Sequence, residues 1–162
     1  MARDDSYSGA LIAYRIVRDG YPVFDGSGAA RWGGRWTSPG RRVIYCAETL
    51  ACCRLEMLVH IGRMALRPVN HVSIAIDVPG DHYAAAETRV NPPPGWDHPT
   101  AHDISQPIGD AWFDAGASAI LRVPSVAAKG DWVVLLNQTH PDIARISAAA
   151  PLPLDWDERL FR

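Results

Sequence analysis

The sequence predicts an α+β fold in which short, mostly antiparallel strands accompany a few helices. The clearest strand covers residues 71–78, where valine or isoleucine occupies every second position from Val72 to Val78. The clearest helix covers residues 48–61, where apolar side chains recur near the 3.6-residue period. Strands and helices do not alternate regularly along the chain, which disfavours a parallel α/β sheet.

The other elements are predicted in the same way from periodicity and from residues that end helices. The predicted strands are, in chain order, 11–17, 43–46, 71–78, 119–123, 132–136 and 143–146. The helix at 48–61 is expected to end at Gly62. A second helix is predicted over 104–115, with Ile108 and Trp112 on one side. Residues 90–96 contain three consecutive prolines and are expected to be irregular.

Length and composition restrict the class of protein. A chain of 162 residues is of single-domain size, and we expect residues 1–162 to form one domain. Hydrophobic residues make up 48% and charged residues 21%, which is ordinary for a soluble globular protein. The formal net charge of -2 gives no general attraction to nucleic acid or to an anionic membrane. Without an apolar N-terminal segment or an apolar run near ~20 residues, a cytoplasmic location is expected.

The cysteines and histidines do not form an obvious framework or metal site. Cys46, Cys52 and Cys53 are odd in number and lie within eight positions, which is unlike a disulfide scaffold and fits a reducing cytosol. We expect them to be buried and inert, the alternative being a thiol nucleophile. His98 and His102 stand four residues apart, but no third ligand of suitable spacing is evident, so no metal is expected.

The stretch GSGAARWGGRW, residues 26–36, places two Arg-Trp pairs among four glycines. Its glycines, Gly28 among them, permit a close approach of the backbone to a ligand. Arginine binds phosphate oxygens through two parallel hydrogen bonds. The spacing matches neither a P-loop nor the dinucleotide-binding fingerprint. Two interpretations remain: a loop that binds phosphate, or a hairpin loop whose tryptophans cover the edge of the core.

Glu56 lies beside the apolar stripe of the predicted helix, where a carboxylate usually has a partner. Arg15 in the first strand and Arg35 in the glycine-rich stretch are the candidate partners. One interpretation is a partly buried ion pair that holds the helix to the sheet. The other is a site built from the two arginines, Tyr45 and Glu56.

An ordered set of short motifs resembles the RES domain family. The motifs are Tyr14-Arg15, DGSGA at 25–29, Gly33-Gly34-Arg35-Trp36, Val43-Ile44-Tyr45, Leu55-Glu56, Val59-His60, Val123-Pro124-Ser125 and LNQTHP at 136–141. They span nearly the whole chain, in the family's order. The family is named for an arginine, a glutamate and a serine, which are best matched by Arg35, Glu56 and Ser125. The sequence departs from the family pattern at Gln138, where proline is expected, and at Thr37, where asparagine is common.

The resemblance implies an ADP-ribosyltransferase-like fold and a bacterial toxin of a RES–Xre toxin–antitoxin pair that consumes NAD+. Its implied partners are an Xre-type antitoxin, NAD+ and, in some members, a protein target. The ADP-ribose acceptor in the family is water, phosphate or a protein side chain. Cleavage of the nicotinamide–ribose bond builds positive charge on the ribose, which a well-placed carboxylate stabilises.

The resemblance also implies roles for individual residues. Glu56, Arg35 and Ser125 would form the catalytic set, with Glu56 stabilising the charge on the ribose. Arg15 and Arg35 would hold the pyrophosphate of NAD+. Tyr45 would stack on the nicotinamide or ribose, and Ser125 would orient Glu56 or contact the ribose. Judged without the resemblance, Tyr45 is typical of a core aromatic and Ser125 of a turn serine.

Two other function classes stay open. A ribonuclease-type toxin would use the same arginines together with His140, although the chain has no basic patch for RNA. A non-catalytic binding module would bury the Arg–Glu network for structural reasons and would not turn over NAD+. For the toxin, we expect the antitoxin to occlude the cleft near Arg35, with Trp32 and Trp36 exposed at its rim as apolar anchors.

Overall fold

The core of the computed structural model, which describes residues 10–62, 68–100 and 102–161, is an eight-stranded sheet. Its strands are β1 (Leu11–Arg18), β2 (Val43–Ala47), β3 (His71–Val78), β4 (Glu87–Thr88), β5 (Ile120–Pro124), β6 (Trp132–Asn137), β7 (Ser147–Ala148) and β8 (Leu152–Pro153). They follow the order β4-β5-β6-β2-β1-β3-β7, and β8 also pairs with β3. Among the strands of the described ranges, β4 and β5 alone pair in parallel. The predicted α+β class is confirmed.

Four α-helices accompany the sheet in the described residues. They are α1 (Ser27–Trp32), α2 (Leu50–Ile61), α3 (Gly80–Ala84) and α4 (His102–Ala115). The two longer helices, α2 and α4, are the two predicted from the sequence. At the start of α2, the side chain of Thr49 accepts a hydrogen bond from the Cys52 amide at 3.0 Å, and Gly62 ends the helix with φ of 77°, as predicted.

None of the helices in the described ranges is long and apolar enough to cross a bilayer. The prediction that no export segment is present concerns residues 1–9, which lie outside the described residues.

Two local predictions were wrong. Residues 143–145 belong to a 3-10 helix (Pro141–Arg145) that ends at Ile146, so the strand predicted over 143–146 is absent. Pro141 supplies a helical φ at its start, and the His140 side chain accepts a hydrogen bond from the Asp142 amide at 3.1 Å. Residues 27–32, which were interpreted as part of an open loop, form the short helix α1.

Apolar clusters cover both faces of the sheet. Along β2, Ile44 and Cys46 contribute to one cluster, whereas Val43 contributes to the other, as the two-residue period of a strand requires. On the Val43 side, Trp112 of α4 packs over the sheet. The other members of that cluster are Trp36, Leu121, Val123, Val133 and Leu135.

Helix α2 packs on the sheet through small side chains. Its buried residues are Cys52 and Cys53, whereas Leu55, Val59 and Ile61 are 43%, 67% and 36% exposed. Of the apolar stripe predicted for this helix, Cys53 is buried against the sheet, whereas Ile61 at its end is exposed. Helix α2 thus presents its small side chains to the sheet and leaves larger apolar side chains on its outer side.

The sheet opens between β1 and β2. These strands share a single registered pair, Tyr14 opposite Ala47, whereas β1 pairs with β3 along its whole length. On the other side, β2 pairs with β6 at every residue from Val43 to Ala47. Helix α2 covers the Tyr14–Ala47 pair, because Cys52 and Cys53 pack with Ala47 of β2 and with Tyr14 and Ile16 of β1.

All three cysteines are free and buried, as predicted. Burial raises the pKa of Cys46 and Cys53 to about 12 and that of Cys52 to about 11. These thiols are therefore neutral near pH 7, and a thiolate nucleophile is disfavoured.

Because the thiols are buried, the free energy of unfolding is expected to fall at alkaline pH. In the unfolded chain a thiol ionises near pH 9.0, whereas Cys46 and Cys53 retain their protons to about pH 12 when folded. The contribution of these protonated thiols to the free energy of unfolding is fully present below pH 9 and is lost as the pH rises towards 12. At pH 10 the free energy of unfolding is expected to be lower by about 1 kcal/mol for each thiol. Urea unfolding at pH 7.5 and 10 should show this fall, and Cys46→Ala should make it smaller. An equal fall in both proteins would contradict the assignment to Cys46.

Candidate active site

The predicted acid and serine form a direct contact. Glu56 follows Cys52 and Cys53 by four and three residues, so it shares their sheet-facing side of α2. Ser125, which directly follows β5, donates from Oγ to Oε1 of Glu56 at 2.5 Å. Such a short distance is typical of a charge-assisted bond to a carboxylate. The other oxygen, Oε2, accepts no hydrogen bond from the described part of the chain, so it is available to a ligand.

Ser125 is itself fixed by the turn between β5 and β6. Ser125 is only 2% exposed. Its Oγ accepts a hydrogen bond from the Ala128 amide at 2.8 Å, and its own amide donates to the Asp131 carbonyl at 2.9 Å. Because the Ala128 amide occupies an acceptor site of Oγ, the hydroxyl proton is directed to Glu56. The turn thus determines the orientation of the carboxylate.

A pocket of about 80 Å³ lies beside the carboxylate. It is lined by Tyr45, Cys46, Ala47, Cys53, Glu56 and Val133. The lining combines β2, β6 and the inner face of α2, at the place where β1 diverges from β2. Glu56 is the one carboxylate among these mainly apolar side chains, and electrostatic interactions are stronger in such surroundings than in water.

Tyr45 lines this pocket while its hydroxyl is bound to the glycine-rich stretch. The hydroxyl lies 2.9 Å from Thr37 Oγ1 and accepts from the Trp36 amide at 3.3 Å. Burial raises the pKa of Tyr45 to about 12, so the phenol is neutral at pH 7. A Cβ at Gly34 would lie 2.6 Å from this hydroxyl, which explains the need for glycine there. Thr37, a departure from the family pattern, is thus a hydrogen-bond partner of Tyr45.

The expected pairing of Glu56 with an arginine was wrong. Arg35 instead donates to three main-chain carbonyls of a distant segment: those of Trp96 at 2.8 Å, His98 at 3.1 Å and Pro99 at 3.3 Å. Two hydrogens on Nη1 and one on Nη2 are used in this way, which leaves Nε–H and one Nη2–H of the five donors. Arg35 therefore fixes the segment 96–99 next to the glycine-rich stretch.

Arg15 also binds main-chain oxygens. Its Nη1 donates to the Val23 carbonyl and its Nη2 to the Asp25 carbonyl at 3.0 Å. Burial lowers the pKa of Arg15 from its ordinary value, an effect opposed by nearby groups that include Asp25. These bonds hold the chain that leads into α1, and Arg15 is not among the residues that line the pocket beside Glu56.

The tryptophans of the glycine-rich stretch have opposite environments. Trp36 is only 2% exposed, with its ring centroid 5.4 Å from that of Trp96, so its predicted exposure at a rim was wrong. Trp32 is 74% exposed, and the Arg31 guanidinium lies 4.8 Å from its ring centroid. A Cβ at Gly28 would meet no atom within 4 Å, so the fold itself does not require glycine there.

Sequence reasoning missed the contacts that fix this region from a distance. Gln138 accepts a hydrogen bond from the Gly26 amide at 2.7 Å and donates to the Phe24 carbonyl at 3.0 Å. Gln138 stands where the family pattern has proline, which has no side chain able to form these bonds. Gln138 and Gly26 are 112 positions apart and Arg35 and Trp96 are 61 apart, so no local pattern could reveal either pair.

Comparison with known proteins identifies the family of the chain. A family model described as RES domain matches residues 12–157. The chain belongs to the RES domain family. A protein of Sphingobium sp. (strain YBL2) named Prs ADP-ribosylating toxin is 36% identical over 155 residues, which cover 92% of this chain and 96% of that protein. Toxin Res of Photorhabdus laumondii subsp. laumondii is 30% identical over 155 residues, covering 94% and 98%.

A solved structure supports the fold of this RES domain. The chain superimposes with a TM-score of 0.71 and 16% identity on a chain from the crystal structure of the M. tuberculosis MbcT-MbcA toxin-antitoxin complex. The match covers 91% of this chain and 85% of the other. At this identity the likeness concerns the fold, which is consistent with the ADP-ribosyltransferase-like architecture.

Proposed function

We propose that this RES domain, residues 1–162, is the toxin of a bacterial toxin–antitoxin pair. In this proposal it cleaves NAD+ between nicotinamide and ribose and passes ADP-ribose to an acceptor. The observation that carries the proposal is the carboxylate of Glu56, oriented by Ser125 at a mainly apolar pocket. The name ADP-ribosylating toxin, borne by a relative that is 36% identical over nearly the whole chain, supports it.

The proposed chemistry needs one negative charge near the ribose. As the C–N bond breaks, its electron pair leaves with nicotinamide and the ribose gains oxocarbenium character. Glu56 stabilises this charge, and weak solvation in the pocket strengthens the interaction. Ser125 occupies Oε1, so Oε2 is assigned to the ribose. Water, phosphate or a protein side chain then bonds to the ribose carbon and releases its proton.

The proposed binding of NAD+ extends beyond the pocket. About 80 Å³ is far below the ~300–1,000 Å³ of typical ligand sites, so the pocket takes only part of the molecule. Tyr45 is assigned to the nicotinamide or ribose. The pyrophosphate is assigned to the donors that Arg15 and Arg35 do not use on carbonyls. Open space at Gly28 permits a close approach of the ligand to α1.

Arg35→Lys is expected to weaken NAD+ binding, by about tenfold if one charge-assisted bond is lost. An ammonium group cannot reproduce the planar fork that contacts three carbonyls and still offers donors to phosphate. Titration calorimetry with NAD+ on the Glu56→Gln background, where turnover is suppressed, measures the effect. Arg145→Lys, a surface change in an arginine paired with Asp81, is the matched control. Equal NAD+ affinity for Arg35→Lys and the control would exclude Arg35 from binding.

The acceptor is tested by incubating the purified chain with NAD+ in three arms: buffer alone, added phosphate, and added cell lysate. The products that identify the acceptor are ADP-ribose for water, ADP-ribose-1″-phosphate for phosphate and a labelled protein for a side chain. Each product should appear with free nicotinamide. NAD+ that stays intact in all arms contradicts the proposal, and RNA degradation by the same sample would favour the ribonuclease alternative.

The proposed regulator is an Xre-type antitoxin made with the toxin. A protein that consumes NAD+ inside its own cell needs an inhibitor, and a relative of this fold is solved within a toxin-antitoxin complex. Exposed Trp32 in the glycine-rich stretch offers an apolar contact for such a partner. The proposal predicts that the purified complex does not bind NAD+.

A further inference from the structure

The outer side of α2 forms a groove with the C-terminal segment. The groove has a volume of about 370 Å³ and is lined by apolar side chains that include Leu50, Leu55, Leu58, Trp156 and Leu160. Leu55 is 43% and Leu160 is 60% exposed, so the groove is open to solvent. It lies away from the sheet-facing side of α2 that carries Glu56, so it is a surface separate from the active-site pocket.

One charged side chain stands in this apolar lining. Arg54 lines the groove with its guanidinium carbon 5.5 Å from the ring centroid of Trp156. Its Nε is buried without a hydrogen-bond partner, and no carboxylate in the described ranges forms an ion pair with it. A buried donor of this kind normally has an acceptor. A carboxylate brought to the groove by a bound partner would give this guanidinium an acceptor.

We propose that the groove binds an amphipathic helix of the antitoxin, which supplies leucine-sized side chains and one carboxylate that pairs with Arg54. Such helices place apolar anchors at i, i+3 or i+4, and i+7, which suits an elongated apolar groove. A second copy of this chain is disfavoured, because a two-fold interface pairs the groove with itself and the groove lining contains no carboxylate for Arg54. The identity of the partner rests on the proposed function.

The groove and the active-site pocket lie on different sides of α2, so they can be altered separately. Docking at α2 holds the antitoxin on the toxin, while a different part of the antitoxin covers the NAD+ site. Substitutions in the groove should therefore weaken the complex without changing NAD+ cleavage by the free toxin. Substitution of Glu56 in the catalytic pocket should instead slow cleavage by the free toxin.

The test titrates purified antitoxin into the wild-type chain and into Arg54→Glu, Leu55→Glu and Leu160→Glu. Each variant is expected to raise the Kd at least about tenfold, because each places a charge against the partner's apolar or acidic side chains. Val90→Glu, at a residue that is 62% exposed outside the groove, is the matched control and should bind like wild type. Nicotinamide release by each free variant should equal that of the wild-type chain, which also shows that the variants are folded.

The outcomes separate this inference from the proposed function. Wild-type chain that does not bind the antitoxin overturns the partner assignment and the groove proposal with it. Wild-type chain that binds, with all three groove variants binding equally well, overturns only the groove. Self-association of the free chain that Leu55→Glu abolishes overturns the helix-docking proposal in favour of a dimer.

Discussion

Replacing Glu56 by glutamine is expected to slow nicotinamide release from NAD+ by about 10²–10³-fold while the protein stays folded. The amide has the shape of the carboxylate, and its oxygen still accepts the hydrogen bond that Ser125 donates at 2.5 Å. Only the negative charge is lost, and that charge is what stabilises the ribose cation. Initial rates of nicotinamide release, compared at equal protein concentration, measure the change.

The matched control for this change is Glu87→Gln. Glu87 lies in β4, away from the pocket lining, and pairs with Arg89 at the surface, so its neutralisation should leave the rate unchanged. Circular dichroism and thermal melting should show both variants folded. A Glu56→Gln rate within twofold of wild type would show that the carboxylate does not stabilise the transition state.

Gly109→Ala is expected to destabilise the protein by at least about 3 kcal/mol, the upper end of ordinary overpacking. A Cβ at Gly109 would lie 1.8 Å from the Trp36 carbonyl oxygen and 2.8 Å from its carbonyl carbon. These are main-chain atoms, so a rotamer change cannot relieve the overlap, and α4 must move away from the glycine-rich stretch. For a domain of this size the melting temperature should fall by roughly 6–12 °C.

Gly28→Ala provides the contrasting glycine. Its Cβ would enter open space, and its position inside α1 favours alanine, so its melting temperature should equal or slightly exceed that of wild type. Differential scanning calorimetry on the two variants makes the comparison. A Gly109→Ala melting temperature within 2 °C of wild type would contradict the close packing of α4 on Trp36.

Local patterns in the sequence predicted the elements that depend on burial of one face. The alternation of apolar residues through β3 predicted both its bounds at 71–78 and its buried residues. Alternate side chains of a strand point to opposite faces, so a strand with one buried face has an apolar residue at every second position. The same reasoning failed at 143–146, where a proline and a capping histidine favour a 3-10 turn over an apolar pattern. It also misjudged α2, whose apolar side chains serve both the sheet and an outer groove.

The site was predictable only in part. The family resemblance selected Glu56 and Ser125, and the structure brings these two together across 69 positions of sequence. Charge complementarity suggested that Arg15 or Arg35 pairs with Glu56, yet both bind main-chain carbonyls. Such carbonyls carry no signature in the sequence, because every residue has one. Partners of this kind are set by tertiary packing alone.

In the proposed mechanism, Glu56 and Ser125 act as one unit in NAD+ cleavage. The most direct test is the rate of nicotinamide release by four proteins: wild type, Glu56→Gln, Ser125→Ala and the double variant. If Ser125 acts through Glu56, each single change slows release and the double variant is no slower than Glu56→Gln. Losses that multiply in the double variant, or a wild-type protein that releases no nicotinamide, would contradict the account.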